Sequence, residues 1–252
     1  MNISSSVDSG IAEVVMQKPP VNALGVRDWF DLADVVTRLG RDESVRVNVL
    51  RAAGRGFTAG VDITEIQATS GHAALLGTNR GCYAAFAAIY DCAVPVIAAV
   101  HGYCLGGGIG LVGNADVIIA SEDASFGLPE VDRGALGAAT HLARLVPAHK
   151  MRAMVYTSAR ATAQELHQFG SVLQVVPAPQ LRAAAQRVAQ TIAEKSPTVI
   201  RAAKESLNGI DPVDVKRSYR FEQGFTFELN LRGVSDEARA AFVDKREARF
   251  EK

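Results

Sequence analysis

Three stretches carry residue types and spacings that could do chemistry. In the first, the glycine triplet Gly106-Gly107-Gly108 follows the apolar run Pro95 to Val100 and a turn at Gly102. Glycine lets backbone come close to a ligand, and a helix starting there presents N–H groups that have no partner within it. Tight helix packing explains such a triplet equally well. In the second, Phe57-Thr58-Ala59-Gly60-Val61-Asp62-Ile63 comes straight after a strand-like run, the place where ligands approach parallel α/β sheets. The third is Ser125 to Glu130, in which Glu130 directly follows Pro129, with Asp132 nearby. A carboxylate at that point is either a general base or a solvated surface acid. Asp62 reads as a turn or cap residue. His101 and His141 read as hydrogen-bonded structural histidines, and Trp29 reads as core.

The surrounding chain limits what that chemistry can be. Its 252 residues are enough for one large domain with a full core, or for a domain with a small appendage. Lys plus Arg equals Asp plus Glu at 27 each, so no global field draws the chain to nucleic acid or to an anionic membrane. Cys82, Cys92 and Cys104 are odd in number and lie in apolar runs without CxxC spacing, which suggests neither a disulfide framework nor a zinc site. Residues 1–6 lack a basic segment followed by an apolar one, and no run approaches the roughly 20 apolar residues of a membrane span. The expectation is a cytoplasmic protein.

The elements that must position these residues follow from periodicity. Ile11–Gln17, Val45–Leu50, Val96–Val100 and Val117–Ala120 predict strands. A helix after Leu24 carries Trp29, Leu32, Ala33, Val36 and Leu39 at helical spacing, and Leu75–Tyr90 predicts another. Strand, helix and strand in succession imply parallel pairing with crossover helices, hence an α/β class. Gly134–Leu145 predicts a small-residue helix holding His141. From Lys150 onward helices dominate (181–194, 198–207, 213–229 and 235–250), with one strand-like run at Val172–Val176. Pro197 and Pro212 suit first-turn positions. This tail has too few strands to extend the sheet, and the aromatics Phe221, Phe225 and Phe227 read as core.

Together with Ala241-Phe242-Val243-Asp244-Lys245-Arg246, the three stretches stand in the order found in the crotonase (enoyl-CoA hydratase/isomerase) superfamily. The chain resembles that family over essentially its whole length. The resemblance implies a spiral of ββα repeats with a helical C-terminal region, and trimers often paired into hexamers. A core at 1–195 would carry the site, and 196–252 would supply oligomer contacts and a pocket cover. It implies an acyl-CoA substrate, whose coenzyme A takes the place of any separate cofactor. It also implies that the amides of Val61 and Gly107 hold the thioester oxygen. Such paired donors are what a thioester enolate needs. By the same resemblance, backbone near Ala59, Val61 and Ile63 holds adenine and pantetheine, Lys245 contacts phosphate, and Glu130 is the base.

The departures narrow the reaction. Typical hydratases of this family have a second glutamate just after the glycine triplet, where this chain has Gly110. Adding water across a double bond needs one group to take a proton and another to deliver one, so a single glutamate fits plain hydration poorly. Asn79–Tyr83, Gly106–Asn114, Leu128–Leu142 and Glu222–Asn230 resemble a branch of the family that hydrolytically opens a bicyclic, steroid-derived β-keto-acyl-CoA. In that reaction water activated by Glu130 attacks the ring ketone β to the thioester, and the C–C bond breaks to give an enolate. The remaining readings are a single-base enoyl-CoA isomerase, a hydratase that recruits Asp132 as its second acid, and a non-catalytic or RNA-binding scaffold. Roles for Glu222 and Glu228, whose segment reaches the acyl pocket in crotonases, stay open.

Overall fold

The computed structural model describes residues 2–250. The strands are β1 (Ile3–Asp8), β2 (Ile11–Met16), β3 (Ala23–Leu24), β4 (Val47–Ala52), β5 (Gly60–Val61), β6 (Val96–Val100), β7 (Tyr103–Leu105), β8 (Val117–Ser121), β9 (Ser125–Gly127), β10 (Arg160–Thr162) and β11 (Gln174–Val176). Six of them form the main sheet in the order β1-β2-β4-β6-β8-β11. All neighbours in it are parallel except the β1–β2 pair.

The chain advances by a repeating unit: a main-sheet strand, a short strand outside that sheet, then a helix. β2, β3 and the helix Val26–Arg41 form one turn. β4, β5 and Ala73–Tyr90 form the next, followed by β6, β7 and Gly107–Val112, and then β8, β9 and the short helices after it. The short strands gather into two small sheets, β3-β5 and β10-β9-β7, beside the ends of the main-sheet strands. The predicted segments meet there.

Strand burial follows the period of two. Val47, Val49, Ile97, Ala99 and Ile119 pack with Leu181, Ala184, Ala185 and Ala189 of the helix Leu181–Ala193. Their alternates Leu50, Ala98, Val100, Ile118 and Ala120 join Trp29, Phe57, Phe86 and Phe126 in the larger core. The tail is tied to the sheet through Lys204, which is 4% exposed and pairs with Asp116 Oδ1 at 2.7 Å.

Four expectations need correction. The helix predicted over 134–145 shrinks to Ala139–Leu142, because Gly134 and Ala138 have φ of +63° and the chain turns at both. The tail does extend the main sheet, since β11, within the strand-like run predicted at Val172–Val176, pairs with β8; β10 joins the small sheet beside β9. Pro212 lies outside the helix Val215–Leu231, which Asp214 caps by accepting from Arg217 N, whereas Pro197 does open its helix. Phe221 and Phe225 are exposed rather than core. No helix among the described residues is long and apolar enough to cross a membrane.

Candidate active site

Two backbone segments form one wall of a cavity of about 460 Å³. Phe57 N donates to His101 O at 2.9 Å and Thr58 N to Tyr103 O at 3.1 Å, while Leu105 N returns a bond to Thr58 O at 3.0 Å. The Thr58 hydroxyl accepts from Gly60 N at 3.0 Å. These bonds bring the two turns into contact. Gly60 has φ +90°, and a Cβ there would lie 2.9 Å from Leu105 O and 3.1 Å from Gly107 N, so only glycine permits the approach. Gly107 opens the helix Gly107–Val112, and its N–H therefore has no acceptor within that helix. A Cβ on Gly107 would meet the Trp29 ring at 2.7 Å. Trp29 is core, as its spacing predicted, and its Nε1 donates to Leu24 O at 3.0 Å.

Glu130 belongs to a second wall of the cavity, next to Gly106. It caps the 3-10 turn Val131–Arg133, and its Oε2 is buried without a hydrogen-bond partner. Its Oε1 occupies the room left by Gly106, where a Cβ would come within 2.7 Å of it. Burial pushes the Glu130 carboxyl up to about 8; the Glu222 carboxylate pushes the same way, and Arg133 pulls against it. The other carboxylate lining the cavity, Asp62, is committed elsewhere. It caps the helix Ile63–Ala68 and pairs with Lys18 at 3.1 Å, as its reading as a cap residue predicted.

The place where typical hydratases have their second carboxylate holds no space for one. A Cβ on Gly110 would fall inside the Phe86 ring. That ring packs edge-on against Trp29 and His141 and tilted against Tyr219, at centroid distances of 5.8, 5.0 and 5.1 Å. His141 is structural: Asn114 Nδ2 lies 3.0 Å from its Nδ1, and burial drives its pKa down to about 3, with Arg144 adding to the effect. His101 is likewise tied to backbone, 2.9 Å from Gly54 O.

The chain following Glu130 is held by side chains from the C-terminal helices. Glu222 accepts from Ala139 N at 2.9 Å and Thr140 N at 2.6 Å. The Thr226 hydroxyl accepts from Leu136 N at 2.9 Å and bonds Leu136 O in return, and Ser235 donates to Gly134 O at 2.5 Å. Glu222 thus braces the Glu130 segment. Glu228 is exposed, close to Arg232.

Of the predicted site residues, Ala59, Val61, Ile63 and Glu130 line the one cavity, and Gly107 follows its lining residue Gly106. Asp132 and Lys245 do not reach it. They line a neighbouring cavity of about 480 Å³, which shares Arg133 and Phe242 with the first. Sequence reading missed Phe86, Arg133, Thr226, Asn230 and Arg239. Thr226 and Asn230 were findable as a polar pair four residues apart on one helix face. Phe86 carried no such signal.

The fold and this site define a class, and comparison with known proteins agrees. The enoyl-CoA hydratase/isomerase family profile matches residues 6–252, and the chain belongs to that family. Its fold is the crotonase spiral. An enoyl-CoA hydratase/isomerase of Pseudoalteromonas atlantica superposes over 100% of both chains with a TM-score of 0.87 at 25% identity. Among curated relatives, the chain is 64% identical to the (7aS)-7a-methyl-1,5-dioxo-2,3,5,6,7,7a-hexahydro-1H-indene-carboxyl-CoA hydrolase of Rhodococcus jostii, covering 97% of this chain and 95% of that one. The Mycobacterium tuberculosis protein of the same name is 62% identical, with 96% and 98% covered.

Proposed function

We propose that this chain hydrolyses a carbon–carbon bond in a bicyclic, steroid-derived acyl-CoA, opening a ring. The observation that carries the reading is one carboxylate with a buried, unpartnered oxygen, Glu130, lining a glycine-walled cavity while the Phe86 ring fills the place of a second glutamate. Ring opening needs one strong base. Glu130 takes a proton from water as the water oxygen attacks a ring ketone, giving a tetrahedral alkoxide. Its collapse breaks the C–C bond and leaves the electron pair conjugated with the thioester carbonyl, whose oxygen the Val61 and Gly107 amides receive. The proton held by Glu130 goes to carbon. Water has then added across the broken bond, and the new carboxylic acid ionises in neutral solution.

The extensive identity to two hydrolases named for a dioxo-hexahydroindene carboxyl-CoA supports this substrate class. Coenzyme A arrives as part of the substrate, with the backbone at Ala59, Val61 and Ile63 along its path and Lys245 at its phosphates. In the same reading residues 1–195 form the catalytic core. Residues 196–252 cover the pocket, to which Thr226, Asn230, Arg239 and Phe242 contribute lining, and make contacts between copies in a trimer or hexamer in the cytoplasm.

Proton release in weak buffer at neutral pH tests the reaction. With a bicyclic keto-acyl-CoA of the relatives' type, stoichiometric release is expected. Release from neither this substrate nor any bicyclic analogue, together with loss of a conjugated enoyl thioester in a parallel assay, would move the assignment to hydratase.

A further inference from the structure

Three cations line the cavity beside Glu130, and their states differ. Lys18 is engaged by Asp28 at 3.0 Å and Asp62 at 3.1 Å. Arg239 is engaged by Asp236 and by Asn230 Oδ1. Arg133 has no carboxylate partner among the described residues. Its one side-chain hydrogen bond to those residues is a 3.5 Å contact to the carbonyl of its neighbour Asp132, and its guanidinium lies 4.0 Å over the face of Phe242. This cation–π contact holds the guanidinium at the ring and, among the described residues, leaves N–H donors without an acceptor. Arg133 also follows Glu130 by three residues across one 3-10 turn and lines both cavities, so its charge stands at the wall between them.

We infer that Arg133 binds the carboxylate that ring opening creates, and before it the alkoxide on the attacked ketone. The inference rests on the ring-opening reading above. Isomerisation and hydration create no new anionic group on the acyl chain for this guanidinium to bind, so the role belongs to ring opening. Hydrolytic opening converts a neutral ketone, through an oxyanion formed when Glu130 takes the water proton, into a carboxylic acid. After C–C cleavage that proton passes to carbon, and the acid's own proton leaves to solvent. The carboxylate so formed sits in a cavity that already holds the buried Glu130. A planar, permanently charged donor fork matches a carboxylate in two-point geometry and offsets that accumulation of negative charge. The phosphates of coenzyme A offer similar oxyanion chemistry, but they are present before and after the reaction and have Lys245 in the second cavity as an alternative contact.

Two uncharged variants, Arg133→Met and Arg133→Gln, and the charge-keeping Arg133→Lys separate these cases. Arg133→Met retains apolar packing over Phe242. Both uncharged variants are expected to lose about 10²-fold in kcat for ring opening, on the scale of a deleted oxyanion contact. They should also bind the ring-opened product at least about tenfold more weakly, while coenzyme A itself binds within about twofold of wild type; Arg133→Lys should recover part of both losses. Unchanged kcat and product affinity in a folded uncharged variant would overturn the inference and leave the ring-opening reading standing. So would parallel loss of affinity for coenzyme A, which would make Arg133 a phosphate contact. Absence of proton release by the wild-type protein removes the reading itself, and this inference with it.

Discussion

The two walls of the cavity are built by different physics. The wall formed by residues 57–61 and 103–107 is held by backbone hydrogen bonds between turns at strand ends, and two glycines set its closest approach. The wall carrying Glu130 is held by side chains that reach it from helices about 90 to 100 residues later in sequence: Thr226 to Leu136 and Ser235 to Gly134. Backbone donors in a wall of the first kind come with the fold itself and need little support. A buried carboxylate of the second kind has an unpartnered oxygen, costs the fold stability, and must be pinned by a second layer of polar contacts.

The largest effect comes from removing the titratable carboxyl on the second wall. Glu130→Gln keeps size and hydrogen-bonding capacity, and should lower ring-opening turnover by about 10³-fold or more, within the range for a general base, while acyl-CoA binding persists in calorimetry. Unchanged turnover would break the contrast between the walls. Next comes pH. Because the base must be ionised and burial holds it at about 8, kcat/KM should fall about tenfold per unit as the pH drops below that value. Stability runs the other way. A carboxyl raised from 4.5 to about 8 favours the folded state most below about 4.5, and that contribution is lost as pH rises through 8. Thermal melts from pH 5 to 9 should therefore show Glu130→Gln gaining on wild type as pH increases.

Gly110→Glu asks whether a second carboxylate can be restored. The Phe86 ring occupies its space, so the variant should lose about 3 kcal/mol in denaturant titrations and gain no hydratase activity. The smallest effect should come from the brace. Ser235→Ala removes the buried bond to Gly134 O at a cost of about 1 kcal/mol, and is expected to lower kcat more than it changes KM, since it loosens the Glu130 segment and leaves the backbone wall intact. Equal changes in both constants would show that the brace serves binding rather than the base.

The main-sheet strands and long helices were legible because their burial imposes periods of two and 3.6 on apolar residues. Trp29 and Leu32 in one helix, and Ile97 in β6, illustrate this. The site loops were legible for a different reason. Glycines at 60 and 106–108, and an acid after Pro129, are local chemical choices that a sequence displays directly. Short elements were not legible in this way. The four-residue helix Ala139–Leu142 and the strand β10 have no full period to show, and contacts with β9 and the helix Val215–Leu231 decide them; β11 lies within the strand-like run Val172–Val176, and only its pairing with β8 was hidden. The exposed Phe221 and Phe225 misled because hydrophobic character predicts a wish for burial, not whether the chain itself supplies the cover.

By itself, then, the sequence determined the class of fold, the glycine-built turns and the identity of the single glutamate. Only the tertiary structure decided that Phe86 closes the place at Gly110, that among the described residues Arg133 has no carboxylate partner while Lys18 and Arg239 are paired, and that Asp132 and Lys245 face a second cavity. The physical reason is range. Backbone conformation and helix or strand period are written within a few neighbouring residues, whereas occupied volume and charge pairing depend on groups brought together from distant parts of the chain.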